Sequence, residues 1–270
     1  MNFPGQGQLK RELPARPKKS LGQHFLTDQR VIERIIRVCD LRPEDSVLEI
    51  GPGRGVLTLA LAQKVKQVFA VETDARLIAN LRAVVPADRV TVVHADFLKF
   101  PLAALPSGLR IVSNLPYNIA TPILEKIIQA KQQFSDCHVM VQWEYGQRMA
   151  AKPGTKAYGA FSCFAQYYAQ PRILFKISPA AFCPAPKVYS CFMAVDLRIS
   201  LPTPEGDAAF LFQVVHAAFN YRRKTLVNAL GDLVDKKKTL AVLRQLGWNP
   251  QIRGESLSLK QFILLAEALA

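Results

Sequence analysis

The sequence predicts an α/β fold, a mostly parallel sheet with helices on both faces, followed by a small all-helical domain. Three observations carry this. Short runs rich in Val, Ile and Leu alternate with segments of helical periodicity through the first half of the chain, the pattern of strand–helix–strand units. The runs end on chemistry-bearing residues, as they do in open α/β sheets, where ligands bind beyond the carboxyl ends of the strands. From Ala208 onward only helical periodicity remains.

The elements follow in order. Val31, Ile32, Ile35, Ile36 and Cys39 recur at helical spacing behind Asp28, which has the side chain of an N-cap, so Asp28–Cys39 reads as an amphipathic helix. Ser46–Ile50 is a first strand running into Gly51-Pro52-Gly53-Arg54-Gly55, with a helix over Val56–Lys64. Gln67–Val71 is a second strand ending at Glu72, Ala75–Val84 a helix, and Val90–His94 a third strand ending at Asp96. Arg110–Ser113 is a fourth strand leading into Asn114-Leu115-Pro116-Tyr117, followed by a helix over Pro122–Ala130 and a fifth strand over His138–Gln142. Ile173–Leu197, with Pro179, Pro184 and Pro186, fits late strands and a connecting loop. Pro202, Pro204 and Gly206 read as a linker. Ala208–Phe219, Thr225–Leu230, Leu240–Leu246 and Leu259–Leu269 are the helices of the second domain. The predicted boundaries are a flexible basic arm over 1–18, the α/β domain over 19–200 and the helical domain over 201–270.

Composition narrows the function. The 270 residues are 50% hydrophobic and 21% charged, enough for a substantial core, and carry a net charge of +14. That excess points to a polyanion, nucleic acid or an anionic membrane. No apolar run reaches the roughly 18 residues of a spanning helix, and the basic N-terminus has no apolar core of a secretory signal. The five cysteines are scattered, with no C-x-x-C pair, and the four histidines form no H-E-x-x-H, so ordinary reduced thiols and no metal are expected. A G-x-S-x-G nucleophile turn and a Walker A lysine are also missing. The sequence therefore predicts a cytoplasmic protein, with nothing that demands more than a monomer. Beyond the arm, the cations gather at Arg222-Arg223-Lys224 and Lys236-Lys237-Lys238, which are expected to meet phosphates.

Gly51, Gly53 and Gly55 give G-x-G-x-G, one position short of the G-x-G-x-x-G of a dinucleotide fold. Glu72 follows about 20 residues later, where a carboxylate can accept both ribose hydroxyl protons. Asp96, at the end of the next strand, suits the exocyclic amine of an adenine. This ordered series resembles the S-adenosylmethionine form of a Rossmann-like nucleoside site rather than the NAD form.

Asn114-Leu115-Pro116-Tyr117 has the form [DNS]-[PIL]-P-[YFW] and resembles the signature of methyltransferases acting on exocyclic amines of bases. An aromatic amine is a poor nucleophile because its lone pair is delocalised into the ring. The Asn114 side-chain oxygen can accept one N–H and the Leu115 carbonyl the other, favouring a tetrahedral nitrogen whose lone pair points at the donated methyl. Pro116 stiffens the turn and Tyr117 offers a face for an extruded base.

Lys19-Ser20-Leu21-Gly22-Gln23-His24-Phe25-Leu26 is similar to the N-terminal motif of the ribosomal RNA adenine dimethyltransferases. Val47–Thr58, Val71–Asp74, His94–Leu98, Ser113–Tyr117, Phe182–Ser190 and Phe219–Leu226 match further blocks of that family in order and spacing, across about residues 18–265. The resemblance favours the dimethyladenosine transferases of small-subunit (16S) rRNA. It implies contacts of His24 and Leu26 with the methionine part of the cofactor, Gly51 in the pocket wall, Glu72 on the ribose, Asp96 on the adenine amine, and Asn114 between cofactor and target. It also implies that Phe182 stacks across the target base from Tyr117. The implied reaction dimethylates two adjacent adenosines in the 3′-terminal hairpin loop of 16S rRNA on an assembling subunit, which would make the protein a biogenesis factor as well. His24 stands where asparagine is commoner, and Gln142–Arg148 keeps the family's Gln, Glu and Arg with unusual residues between them. Two other readings share the motifs: a large-subunit rRNA adenine methyltransferase of the resistance type, and a non-catalytic RNA-binding assembly or transcription factor on the same fold.

Overall fold

The computed structural model describes residues 23–198, 200–203 and 208–270. The predicted basic arm over 1–18 and part of the predicted linker lie outside the described residues. The first elements are β1 (Phe25–Leu26), α1 (Gln29–Val38), β2 (Ser46–Ile50), α2 (Val56–Ala62), β3 (Gln67–Glu72), α3 (Ala75–Val84), β4 (Val90–His94), β5 (Leu109–Asn114), α4 (Ala120–Gln129) and β6 (Phe134–Gln142). Then come α5 (Trp143–Met149), α6 (Ala160–Tyr168), β7 (Ala169–Ile177), β8 (Phe182–Cys183) and β9 (Ser190–Leu197). The remainder is helical: α7 (Ala208–Asn220), α8 (Leu226–Ala229), α9 (Lys236–Gln245) and α10 (Leu259–Leu269).

The main sheet has the order β4-β3-β2-β5-β6-β9-β7. β2 pairs in parallel with β3 and with β5, β3 with β4, and β5 with β6. The chain leaves β2 toward the β4 edge and returns on the other side at β5, so the topological switch point falls between β2 and β5. That is where an open α/β sheet leaves a crevice for a ligand. β9 runs antiparallel to β6, which is the departure from a wholly parallel sheet. β1 and β8 form a separate antiparallel pair, with Leu26 opposite Phe182.

Local sequence explains most element boundaries. Asp28 caps α1 by accepting from the Arg30 and Val31 N–H groups. Asp74 does the same for α3 through Arg76 N–H, and Asp235 for α9 through Lys237 and Lys238 N–H. α9 thus begins at Lys236, so the Lys236–Lys238 cluster is its first turn and not a loop before it. Ser258 and Gln261 form a reciprocal capping box at the start of α10. Two helices, α5 and α6, were not foreseen. The stretch Gln142–Ser162 mixes Gly, Lys and Pro with aromatics and gives no clear period.

The chain packs into two units. One takes the described residues up to Trp143 together with Ile173–Val195. Its core includes Leu26, Ile32, Ile35, Val47, Leu61, Val68, Val112, Met140, Phe182 and Phe192. The other takes Glu144–Arg172 with the described residues from Asp196 to Ala270. It therefore holds α6 and nearly all of α5 in addition to the helical segment after residue 200. The reason is packing: Tyr158, Cys163 and Tyr167 share a core with Leu211, Val214, Leu226, Leu243, Phe262 and Leu265. The Tyr158 hydroxyl donates to the Leu257 carbonyl at 2.8 Å, which satisfies a polar group that is otherwise buried.

At the amino-terminal side of the sheet, Arg110 on β5 is a hub. Its guanidinium donates to Asp45 Oδ2 at 2.8 Å, to Asp136 Oδ2 at 2.5 Å, to the Asp40 carbonyl at 2.9 Å and to the Cys39 carbonyl. This joins the end of α1, the approach to β2 and the paired strands β5 and β6. The side chain is 14% exposed, so these bonds are partly shielded from water. Arg110→Met is expected to cost about 3 kcal/mol, because two part-buried carboxylates lose their partner. Denaturant midpoints read this; a loss under ~1 kcal/mol would show the hub to be a surface ion pair.

Candidate functional site

A cavity of about 260 Å³ opens at the carboxyl ends of β2, β3 and β5, closed on one side by residues 23–26. Its wall contains His24, Leu26, Gly51, Glu72, Asp96, Asn114, Leu115, Pro116 and Tyr117. The predicted cofactor and acceptor residues therefore converge, with one exception. Phe182 is 4% exposed and lies in the core, its backbone paired to Leu26. It is outside the cavity wall.

The glycine loop is built by left-handed backbone. Gly51, Gly53 and Gly55 have φ of +68°, +59° and +78°, a region that strains other residues. A Cβ on Gly53 would lie 2.8 Å from the Phe25 ring, and one on Gly55 would lie 2.6 Å from Leu81. Gly55 is the N-cap of α2, which explains the early third glycine: it starts the helix in a left-handed conformation and lets α3 approach.

The loop is moored by Glu72. Its Oε2 accepts from Gly53 N–H at 3.0 Å and its Oε1 from Asp74 N–H at 2.9 Å. A carboxylate has about four acceptor positions, so these bonds orient the group and still leave lone pairs for a diol. Burial raises the Glu72 pKa, against the lowering effect of the backbone bonds from Asp74, Gly53 and Thr73.

Asp96 is exposed at the rim, with Oδ1 accepting from Leu98 N–H at 2.9 Å. The turn after it is pinned by Lys126 of α4, whose ammonium donates to the carbonyls of Phe97, Leu98 and Phe100 at 2.8, 2.9 and 2.6 Å. Lys126 was not singled out in the sequence, since a lysine on an amphipathic helix gives no sign that it reaches three carbonyls.

Asn114 ends β5 on Ser113. The Ser113 hydroxyl donates to the Ile50 carbonyl at 2.6 Å and accepts from Ile50 N–H at 3.0 Å, tying β5 to β2 beside the glycine loop. The Asn114 side chain donates through Nδ2 to the His24 carbonyl at 3.2 Å. A carbonyl only accepts, so the amide nitrogen must occupy that end. Asn114 Oδ1 is then buried with no hydrogen-bond partner. Such an orphan acceptor is costly and marks a place for an incoming donor. Pro116 holds φ at −59°, and a 3₁₀ turn carries Tyr117. The Tyr117 hydroxyl lies 2.5 Å from Ser190 Oγ, burial pushes its pKa up to about 12, and its ring stacks on His24 at a centroid distance of 5.8 Å. His24 Nδ1 is 2.8 Å from the Pro184 carbonyl.

Two wall residues escaped sequence reading. Glu49, on β2, is 2% exposed, and Arg54 lies over the Phe25 ring at 4.7 Å. Arg54 Nε is buried without a hydrogen-bond partner, and the Glu49 carboxyl lies against the buried Thr58 hydroxyl with no other side-chain partner. Glu49 looked like a strand residue inside an apolar run, where alternation does not reveal a carboxylate facing a cavity. Burial is the main cause that pushes its pKa to about 8; nearby Thr58 eases the shift and Glu72 adds to it.

Of the predicted phosphate contacts, Arg222 already donates to Glu255 Oε2 and to the Lys156 carbonyl, each at 3.3 Å. Lys224 sits over the Tyr221 ring at 4.0 Å, and Arg223 is exposed. Lys238 donates to the Leu269 carbonyl at 2.7 Å, which caps the end of α10.

Residues 15–270 match the ribosomal RNA adenine dimethylase family. The chain belongs to this family. "Ribosomal RNA small subunit methyltransferase A" of Moorella thermoacetica is 39% identical over 274 residues, covering 97% of this chain and 95% of the relative. The protein of that name from Streptococcus pneumoniae is 40% identical, covering 93% and 91%. Among solved structures, the 23S rRNA methyltransferase ErmE superposes with a TM-score of 0.74 at 26% identity, covering 91% of this chain and 99% of that one. A dimethyladenosine transferase from Plasmodium falciparum shares the fold, with a TM-score of 0.76 at 24% identity, covering 90% and 96%. Among the described residues of this rRNA adenine dimethylase family member, no helix is long and apolar enough to cross a membrane.

The buried carboxyl gives a pH prediction. A carboxyl whose folded pKa exceeds its unfolded value stabilises the fold fully below the unfolded pKa and loses that contribution as pH rises to the folded one. Glu49, raised from 4.5 to about 8, should make stability fall across that window. Glu49→Gln removes the titration, so the pH 5 to pH 8 loss should shrink by a few kcal/mol (order of magnitude). Urea midpoints at the two pH values decide it; equal losses in both proteins would assign the effect elsewhere.

Proposed function

We propose that the chain transfers methyl groups from S-adenosylmethionine to the exocyclic amines of two adjacent adenosines in the 3′-terminal hairpin loop of small-subunit rRNA. The carrying observation is Asn114, whose oxygen is buried, unpartnered and held in orientation at the edge of the glycine-loop cavity. The names of the sequence relatives support the small subunit as substrate. We further propose that the protein works as a monomer, in the cytoplasm, on an assembling subunit.

The cavity fits the cofactor chemically. Its wall is rich in acceptors, with Glu49, Glu72, Asp96 and Asn114 facing a molecule that is cationic and carries ammonium, hydroxyl and amine donors. When bound, that molecule supplies the electrophilic methyl. Glu72 would hold the ribose hydroxyls, Asp96 the adenine amine, and His24, Leu26 and Gly51 the methionine end.

Asn114 Oδ1 accepts one N–H of the target amine and the Leu115 carbonyl the other. Both bonds strengthen as the nitrogen becomes tetrahedral, so they favour the transition state over the ground state. No base is required before transfer, because the alkylated amine loses its proton readily afterwards. Tyr117 supplies a stacking face; burial keeps its hydroxyl protonated, and the contact with Ser190 fixes the ring's position. With Phe182 in the core beside Leu26, its part in this reading is to support β1, which directly follows His24. Unpaired loop bases are cheap to extrude, which suits such a site. Arg222, Arg223 and Lys224 would meet backbone phosphates.

Undermethylated small subunits, incubated with the protein and labelled cofactor, should gain dimethyladenosines at adjacent positions when mapped by mass. The likeness to a 23S rRNA methyltransferase favours a second reading, and label found only in large-subunit rRNA would establish it instead. The residues should divide by role. Glu72→Ala is expected to raise the cofactor Kd about tenfold to a hundredfold, from loss of bonds to a charged acceptor. Tyr117→Ala should leave that Kd nearly unchanged and raise the KM for the subunit about tenfold. Equal losses of cofactor affinity in both variants would refute the division.

A further inference from the structure

Trp143 opens the stretch whose residues depart from the family pattern, and the geometry gives it a role. Lys176 Nζ on β7 lies 4.0 Å from the centre of the Tyr189 ring and 4.8 Å from the centre of the Trp143 ring. Trp143 N–H donates to the Tyr189 carbonyl at 2.9 Å, which holds the two aromatic residues side by side. Tyr189 is nevertheless 48% exposed and the adjoining Val188 is 44% exposed. Lys187 and Lys176 are exposed as well. The result is an open aromatic surface with a cation fixed in it.

This surface adjoins the acceptor turn. Ser190, the residue after Tyr189, is fully buried and meets the Tyr117 hydroxyl at 2.5 Å. Ser190 opens β9 and anchors Tyr117 from a buried position, while Tyr189, just before the strand, is exposed. An extruded target base leaves its neighbour in the RNA without one stacking partner. An exposed ring one residue from the Tyr117 anchor offers a replacement, tolerant of base identity because every base has a π-face. Lys176 and Lys187 complement the phosphates of the same strand.

We infer that Trp143, Lys176 and Tyr189 form a stacking platform for an unpaired nucleotide flanking the target adenosine. The inference rests on the proposed base methylation and deepens it. Lys176 is ordered by the rings before RNA arrives, so less of its rotamer freedom is lost on binding. The platform is a binding and positioning device; none of its residues touches the reacting atoms.

The test uses the full chain with Tyr189→Ala, Tyr189→Leu, Tyr189→Phe and Lys176→Gln. Kinetics on undermethylated small subunits are paired with fluorescence of an oligoribonucleotide carrying 2-aminopurine beside the acceptor adenosine. The Ala and Leu variants should raise the subunit KM about tenfold and lose the quenching of 2-aminopurine seen with the unaltered protein. Phe should restore both, since it keeps the ring. Lys176→Gln should raise KM about two- to threefold and flatten its salt dependence. Cofactor Kd should stay constant throughout.

Unchanged KM and quenching in Tyr189→Ala would overturn the platform. So would full rescue by Leu, which would assign the patch to apolar contact with protein, or a parallel loss of cofactor affinity, which would make the ring a structural support. If the unaltered protein methylates no small-subunit adenosine, the proposed reaction fails, and the quenching alone still decides whether the platform binds an unpaired base.

Discussion

Everything in the cavity depends on the level register of three parallel strands. β2 pairs with β3 from Ser46↔Gln67 to Ile50↔Val71, and β3 pairs with β4 up to Glu72↔His94, so their carboxyl ends finish together. On the other side Ser113 clasps both backbone groups of Ile50 and sets the end of β5 beside Gly51. A slip of one residue in any of these pairings would turn Glu72 or Asn114 to the other face of the sheet. The bonds from Gly53 and Asp74 to Glu72 add a second lock, because they fix the glycine loop to β3 through a side chain that also faces the cavity. Fold and site thus share the same hydrogen bonds.

Around that register the cavity concentrates polar groups that a core would not tolerate. Arg54 Nε and Asn114 Oδ1 are buried in its wall without partners, and the Glu49 carboxyl is buried there with Thr58 beside it. Each such group costs free energy in the folded chain. Local consistency is broken here and kept elsewhere, as in the apolar packing of Val47, Leu61, Val68 and Val112 nearby. A ligand that supplied the missing partners would recover that cost.

The net charge of +14 looks different once the cations are placed. Arg110 ties strand ends together, Lys126 pins the Asp96 turn and Lys238 caps α10. These cations work inside the fold. Arg222, Arg223, Lys187 and the ring-held Lys176 are instead exposed at the surface.

The sequence by itself determined the α/β class, the order of elements from α1 to β6, the helical C-terminal segment and the ordered series Gly51, Glu72, Asp96, Asn114. These are legible because period, caps and glycine punctuation are local properties of the chain. Only the tertiary structure decided what rests on contacts between distant residues. Phe182 lies in the core because β8 pairs with β1, a bond across more than 150 positions that no local pattern encodes. α6 joins the second unit because Cys163 and Tyr167 pack with Leu211 and Phe262, and Lys126 matters because of carbonyls over twenty residues away. Glu49 belongs to the site because the carboxyl edge of β2 opens onto a cavity. Local chemistry names the residues that can act; long-range packing selects which of them face the same space.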